Sequence, residues 1–183
     1  MIELERRTVL KGAAGAVLMV AGTPLAAATE AVGKPGDFDF LTGEWRIHNR
    51  MIKPGTKAEW IEFPGEATVY RILDGVGSVE ELRIPARKFS GMGLRLLDVE
   101  KRVWNDHWVN AKSGVVVVPG QQGVFRDGVG TFTSDETVDG VHYIYRGVWD
   151  EITPWSCRWS QGMSTDEGKT WADSWYMRWT RVK

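Results

Sequence analysis

The chain has 183 residues, of which 43% are hydrophobic and 26% are charged, and its formal net charge is −1. This composition is that of one ordinary globular domain, and it excludes intrinsic disorder. The 23 Lys and Arg residues are balanced by 24 Asp and Glu residues, so the charge does not favour a nucleic acid or an acidic membrane surface as a partner. Ten tryptophans stand beside four tyrosines and six phenylalanines, and a domain so rich in indole has much flat apolar surface to bury.

Residues 1–28 are predicted to be a twin-arginine export signal. Arg6 and Arg7 precede an apolar stretch at 12–22 that is rich in Ala, Gly and Val, and residues 25–28 offer a cleavage site of small side chains. The stretch is too short and too rich in glycine for a membrane span. We therefore expect the twin-arginine translocase as a partner during export and a periplasmic protein without stable membrane insertion. Residues 29–36 are predicted to be a linker.

From Gly33 onward, turn signals recur about every ten residues, and the segments between them alternate apolar and polar side chains as strands do. The pairs Asp127-Gly128 and Asp139-Gly140 are typical of two-residue hairpin turns, because glycine accepts a positive φ. The predicted strands are, in chain order, 45–51, 67–73, 78–84, 93–97, 103–110, 114–118, 123–126, 129–134, 142–149, 157–163 and 171–181.

Helical periodicity is not sustained in any segment of the sequence after the signal. The one helical candidate is a short turn around Asp37–Leu41, with Asp as its cap. About eight to ten antiparallel strands joined by hairpins form either a sandwich or a barrel, and only closure removes the exposed sheet edges. The sequence therefore predicts an all-β domain over 37–183, folded as a single antiparallel up-and-down β-barrel.

The segment Ser164–Trp171 matches the Asp-box pattern S-x-D-x-G-x-x-W. In such a turn the aspartate accepts backbone N–H groups, the glycine supplies an unusual backbone angle and the tryptophan covers the hairpin. We expect a structural role for this box, and we do not take it as evidence for a glycosidase.

Strand alternation places tryptophans from several strands on shared faces, because successive side chains point to opposite sides of a sheet. The shared faces are Trp104, Asp106, Trp108 and Asn110; Tyr143, Tyr145 and Trp149; Trp155, Cys157, Trp159, Gln161 and Met163; and Trp175, Met177 and Trp179. One interpretation is that these indoles fill the barrel core. The preferred one is a cavity for a flat apolar ligand, since a dry core would more naturally use Val, Ile and Leu, and rigid aromatic walls with sparse polar groups are typical of ligand pockets.

The predicted ligand-binding residues are those assigned to the interior faces of the barrel. They are Trp45, Asn49, Trp104, Trp108, Asn110, Trp149, Trp159, Gln161, Trp175 and Trp179.

The segment Phe38–Trp45 reads F-D-F-L-T-G-E-W and resembles the opening of a bacterial family known as domain of unknown function 1579, which has a lipocalin-like, or calycin, barrel. Further marks of the resemblance are Ile72–Gly75, Leu94–Asp98, Trp104–Asn110, Phe125–Gly130 and Asp150–Pro154. The resemblance covers Asp37–Arg181. It implies the barrel fold and a small-molecule cavity, and it transfers no catalytic residues.

Metal and cofactor chemistry has little support in the sequence. His48, His107 and His142 lack the spacing of metal ligands, and Cys157 is the one cysteine. The nucleophile motif G-x-S-x-G and the dinucleotide motif G-x-G-x-x-G are both absent from the sequence. No metal and no cofactor are predicted.

Asp106 is the candidate catalytic residue, because a carboxylate among indoles is desolvated and its pKa rises toward the range of a general base or acid. Tyr145 is the second candidate; it, or an arginine at position 71 or 95, would stabilise developing negative charge. The alternative is a structural role, in which Asp106 bonds an indole N–H and an arginine.

Three functions remain open from the sequence. The preferred hypothesis is periplasmic binding of a small hydrophobic, aromatic ligand in the tryptophan-lined cavity. The alternative is a cofactor-independent lyase, isomerase or decarboxylase that acts on an aromatic molecule through Asp106. A third is a structural or envelope-stress module whose barrel is filled.

Overall fold

The computed structural model describes residues 32–183; the predicted export signal and the start of the predicted linker lie outside these residues. Ten strands make up the fold: β1 Gly43–Ile52, β2 Trp60–Ile72, β3 Gly77–Ile84, β4 Phe89–Asp98, β5 Val103–Asn110, β6 Gln121–Arg126, β7 Val129–Val138, β8 Val141–Asp150, β9 Ser156–Ser164 and β10 Ala172–Arg181. Short 3₁₀ turns are Asp39–Leu41, Leu73–Gly75 and Pro85–Arg87. Within residues 32–183 no helix is both long and apolar enough to cross a membrane.

The strands form a closed antiparallel up-and-down barrel, in which each strand pairs with its neighbours in the chain and β10 returns to β1. The closing pair is in register with Ile47 opposite Trp179. Both residues of the Asp127-Gly128 turn have positive φ, at 50° and 79°, as the primed hairpin turns require. The predicted all-β barrel is therefore confirmed.

The predicted strand at 114–118 is wrong. Residues 111–120 form a loop in which Val116 makes an isolated bridge to Val109, and Val118 is 72% exposed. Strand β6 begins at Gln121 and pairs with only three residues of β5, so the valines have no full strand to pair with. β-branched residues favour strands only where a partner exists.

Strand β2 begins at Trp60, seven residues before the predicted start at Ala67. Pro64 lies in the middle of this strand, although proline normally argues against a paired strand. Here Pro64 is exposed and stands opposite His48 in the ladder with β1. The strand thus accommodates the missing N–H.

The chain before β1 fills one end of the barrel and forms a plug, which we define as residues 33–42. Gly33 N donates to Arg102 O at 2.6 Å, so the last part of the predicted linker lies against the β4–β5 turn. Phe38 is 2% exposed, with its ring centroid 5.0 Å from that of Trp104 and 5.1 Å from that of Phe125. Because this end is filled, an interior cavity can open only toward the other.

The aspartate expected to cap the first helical turn has a different role. The Asp37 carboxylate accepts from Lys34 N at 2.9 Å and from Trp104 Nε1 at 3.0 Å, and it does not cap the turn Asp39–Leu41. It therefore ties the plug to β5 and satisfies a buried indole N–H, which would otherwise be costly to bury.

The Asp-box closes the hairpin between β9 and β10. The Asp166 carboxylate accepts from Thr170 N at 2.9 Å, from Thr170 Oγ1 at 2.7 Å and from Ser164 Oγ at 2.7 Å. These hydrogen bonds, those from Thr170 above all, lower the pKa of Asp166 to about 2. Trp171 Nε1 donates to Gly168 O at 3.0 Å, so the box is built from turn chemistry.

Candidate functional site

An interior cavity of about 310 Å³ lies above the plug. Its lining residues come from every strand from β3 to β10 and from the loop 111–120, and Phe89 and Val117 lie at the end away from the plug. A buried apolar cavity of about 150 Å³ is enough to hold benzene. This cavity, about twice as large, has room for a molecule of two fused rings.

Tryptophans from three adjacent strands form one wall of the cavity. The ring centroids of Trp149 and Trp179 are 5.4 Å apart, those of Trp159 and Trp175 are 5.8 Å apart, and both pairs pack edge to face. Such contacts fix the orientation of each ring. Across the cavity Trp108 stacks on a phenylalanine of β4, with an interplanar angle of 12°. The walls are rigid and flat.

The floor of the cavity is polar and comes from three neighbouring strands. Arg95 on β4 donates through Nη2 to Glu80 Oε2 on β3, and its Nε lies 3.5 Å from Asp106 Oδ2 on β5. Arg95 and Asp106 are directly opposed in the ladder. Gly93 makes the space, since a Cβ there would lie 3.2 Å from Arg95 Nη2. We call Glu80, Arg95 and Asp106 the floor triad.

Arg95 is buried against aromatic rings as well as between carboxylates. Its exposed fraction is 4%, and its Cζ lies 5.1 Å from the Phe38 ring centroid and 5.3 Å from that of Trp149. Guanidinium groups stack favourably on such rings. The plug and the tryptophan wall therefore hold the arginine in one orientation.

Burial sets the protonation of the floor triad. Burial raises the pKa of Asp106; the charge of Arg95 opposes this, the charge of Glu80 reinforces it, and the pKa stays above its ordinary value. Burial lowers the pKa of Arg95, but Asp106 and Glu80 outweigh this effect and raise it. With two carboxyl groups and one permanent cation, the floor has a net charge of −1 when both acids are ionised and 0 when Asp106 is protonated.

Apart from Arg95 Nε, which faces Asp106 Oδ2 at 3.5 Å, three buried N–H donors on residues that line the cavity have no hydrogen-bond partner among residues 32–183. They are Arg95 Nη1, Trp149 Nε1 and Trp179 Nε1. A buried donor without an acceptor costs about 1–3 kcal/mol. A hydrogen-bond acceptor placed at the floor of the cavity would therefore remove this cost.

Eight of the predicted site residues line the cavity. They are Asp106, Trp108, Tyr145, Trp149, Trp159, Gln161, Trp175 and Trp179. The hydroxyl of Tyr145 is already used, since it donates to Glu136 Oε1 at 2.9 Å, and this hydrogen bond raises the pKa of Tyr145. Tyr145 therefore contributes to the rim, at some distance along the strand from the floor triad.

The other four predicted ligand-binding residues are not among those lining the cavity. Trp45 lies in the core and donates to Leu41 O at 2.6 Å. Trp104 lies under Phe38, as described above. Asn49 stands behind the wall, where its Oδ1 accepts from Trp175 Nε1 at 3.0 Å, and Asn110 Oδ1 accepts from a backbone N–H at the end of β5.

Two further inferences from alternation differ in the structure. Trp155, assigned inward, is 64% exposed, because β9 begins one residue later and the strand alternation does not extend to it. Of the two arginines offered as partners of Asp106, Arg71 instead pairs with Asp39 outside the cavity. Arg95 is the partner.

Sequence reasoning missed Glu80, which is 3% exposed. Ser78, Glu80, Leu82 and Ile84 occupy alternate positions of β3, so parity alone would have assigned the glutamate to the inward face. A charged residue in that series argued for an outward face and obscured the pattern. The described residues contain no group of three or more His, Cys, Asp or Glu side chains suited to a metal ion.

The fold and site define a calycin-like barrel with one end plugged and a tryptophan-lined interior cavity. No model of a known protein family matches the chain, and no curated protein matches it. The resemblance to domain of unknown function 1579 therefore stays a prediction.

Solved structures offer likenesses at low identity. The crystal structure of Rv2717c from M. tuberculosis is 13% identical, with 80% of this chain and 98% of that chain covered and a TM-score of 0.48. A protein of unknown function from the DUF3598 family of Nostoc punctiforme is 15% identical, with 88% and 53% covered and a TM-score of 0.49. The S-type phycobiliprotein lyase CPES from Guillardia theta is 14% identical, with 80% and 90% covered and a TM-score of 0.48. The fold assignment rests on the strand register of this chain, not on these likenesses.

Proposed function

We propose that this protein binds a small, flat, aromatic molecule inside its barrel and does so in the periplasm. The observation that carries the proposal is the cavity of about 310 Å³ bounded by five tryptophans. Ligand pockets of this kind combine mostly apolar walls with a few placed polar groups. The location rests on the predicted export signal at residues 1–28.

Intrinsic fluorescence tests the binding, because five of the ten tryptophans line the cavity. One- and two-ring aromatic acids, phenols and ketones are titrated against the full chain, and we expect saturable quenching by part of this panel. Ser134→Phe projects a ring into the cavity from β7 and should abolish the quenching. Thr131→Phe on the exposed face of the same strand is the matched control and should preserve it.

Absence of saturable quenching across the whole panel would refute the proposal and favour a filled structural barrel. Location is tested separately by fractionation of cells that express the wild type or a variant with Arg6→Lys and Arg7→Lys. The wild type should be found in the periplasm and the variant in the cytoplasm. Equal amounts of both in the periplasm would overturn the export prediction.

Acid–base catalysis is the second candidate function, because Asp106 faces the cavity with a raised pKa. For a substrate with a C=C bond one carbon beyond the α-carbon, its carboxylate would take a proton from the α-carbon, and the C–H electrons would pass through the new C=C bond to the carbonyl oxygen, giving a dienolate beside Arg95. Return of the proton from Asp106 to the γ-carbon restores the carbonyl and moves the C=C bond into conjugation, which completes an isomerisation. Asp106→Asn should then abolish turnover and retain binding; an unchanged rate would remove this candidate.

A further inference from the structure

The unpaired N–H donors at the floor of the cavity favour ligands that carry a hydrogen-bond acceptor. Arg95 Nη1, Trp149 Nε1 and Trp179 Nε1 are donors, and residues 32–183 offer none of them an acceptor. All three side chains border the same cavity. Donors are satisfied by an acceptor oxygen, whereas an ammonium group has only donors to offer.

The charges of the floor triad disfavour a negatively charged ligand group. The floor triad contains two carboxyl groups and one guanidinium, with Glu80 and Asp106 on either side of Arg95. With one guanidinium and two carboxylates the floor triad has no surplus positive charge, so a ligand carboxylate would add a further negative charge there, and a buried charge without a partner is costly. A neutral acceptor adds no charge.

We propose, on the basis of the proposed ligand-binding function, that the preferred ligands are flat aromatic molecules with a neutral carbonyl group, whose oxygen accepts from the donors at the cavity floor. Arg95 is held for this contact by Glu80 and by the rings of Phe38 and Trp149. The aromatic part of the ligand lies against the tryptophan wall, and the carbonyl points away from the open end of the barrel.

A series on one scaffold tests the proposal by isothermal titration calorimetry with the full chain. The four probes are 2-ethylnaphthalene, 2-acetylnaphthalene, 2-naphthoate and 2-naphthylmethylammonium. The ethyl and acetyl compounds have nearly the same shape, so their affinity ratio isolates the carbonyl oxygen. We expect 2-acetylnaphthalene to bind at least about tenfold more tightly than each of the others, the gain of one hydrogen bond to a buried unpaired donor.

The outcomes separate this inference from the function on which it rests. Equal affinities for the ethyl and acetyl compounds would overturn the carbonyl preference and leave aromatic binding standing. Tightest binding of the naphthoate or of the ammonium compound would overturn it in favour of a charged ligand. Failure of all four probes to bind would refute the proposed function itself.

Two variants test the preference for an acceptor oxygen and the exclusion of a carboxylate. Trp149→Phe keeps a ring but removes one donor, so the ratio of acetyl to ethyl affinity should fall several-fold. Trp155→Phe, at an exposed position outside the cavity, is the control and should keep the ratio. Asp106→Asn removes the surplus carboxylate and should raise the affinity for 2-naphthoate by about tenfold, whereas Asp127→Asn in an exposed turn should not. An unchanged ratio in Trp149→Phe, or an unchanged naphthoate affinity in Asp106→Asn, would contradict the corresponding step.

Discussion

Replacement of Phe38 by alanine tests whether the plug is part of the cooperative fold. The ring is 2% exposed and packs edge-on against Trp104 and Phe125, with centroids 5.0 Å and 5.1 Å away. Truncation of a buried phenylalanine costs about 3–5 kcal/mol, and this site offers little to fill the space because its neighbours are rigid rings. We expect the free energy of unfolding to fall by about 4 kcal/mol, a large part of the stability of an ordinary domain.

Urea unfolding followed by both circular dichroism and tryptophan fluorescence measures this change, with the two transitions expected to coincide. Val99→Ala is the control: Val99 lies at the β4–β5 turn of the same barrel end but is 56% exposed, so its replacement should cost less than about 0.5 kcal/mol. A loss below about 1 kcal/mol for Phe38→Ala would show that the plug is not coupled to the barrel and does not close one end of the cavity.

Three further predictions concern titration and turn chemistry. The folded state holds the Asp106 proton to a higher pH than the unfolded chain does, because the pKa of Asp106 is raised above 3.8. The free energy of unfolding should therefore fall as the pH rises from about 3.8 through the raised pKa. Urea unfolding midpoints measured across this pH range should show the fall in the wild type and not in Asp106→Asn. Burial raises the pKa of Cys157 to about 12, so its alkylation by iodoacetamide should be at least about a hundredfold slower in the folded chain than in urea, and equal rates would contradict the assignment. Asp166→Ala removes the acceptor of the Asp-box hydrogen bonds and should lower the melting temperature in calorimetry; Asp139→Asn, in another hairpin turn where asparagine also tolerates positive φ, should not.

Strand alternation made the barrel and most of its wall predictable. Trp175 and Trp179 are four positions apart on one strand, and any register that buries one of them buries both. The Asp127-Gly128 pair predicted its hairpin for an equally local reason, since few other pairs accept positive φ at both residues. These features depend on neighbours in sequence and need no knowledge of the closed fold.

The floor triad was beyond such reasoning because it depends on which strands become neighbours. Arg95 stands opposite Asp106 only once β4 and β5 are in register, and Glu80 is tolerated inside only because Arg95 is there to pair with it. Strand alternation also could not predict how far along the barrel axis each inward-facing residue lies. Trp104 and Trp108 share a face of β5, but the plug covers the first and leaves the second at the cavity.

The short ladder between β5 and β6 has a consequence for how the barrel wall can open. These strands share three residue pairs, whereas every other neighbouring pair in the barrel shares five or more. Separation at this seam breaks the fewest backbone hydrogen bonds, so it is the part of the wall that opens most readily. Asp106 and Gln121 form the last pair of the seam and also border the cavity. If the barrel binds the proposed aromatic ligand, we expect its wall to yield to wider molecules beside Asp106 rather than at the tryptophan wall, where the strands are paired over longer ladders.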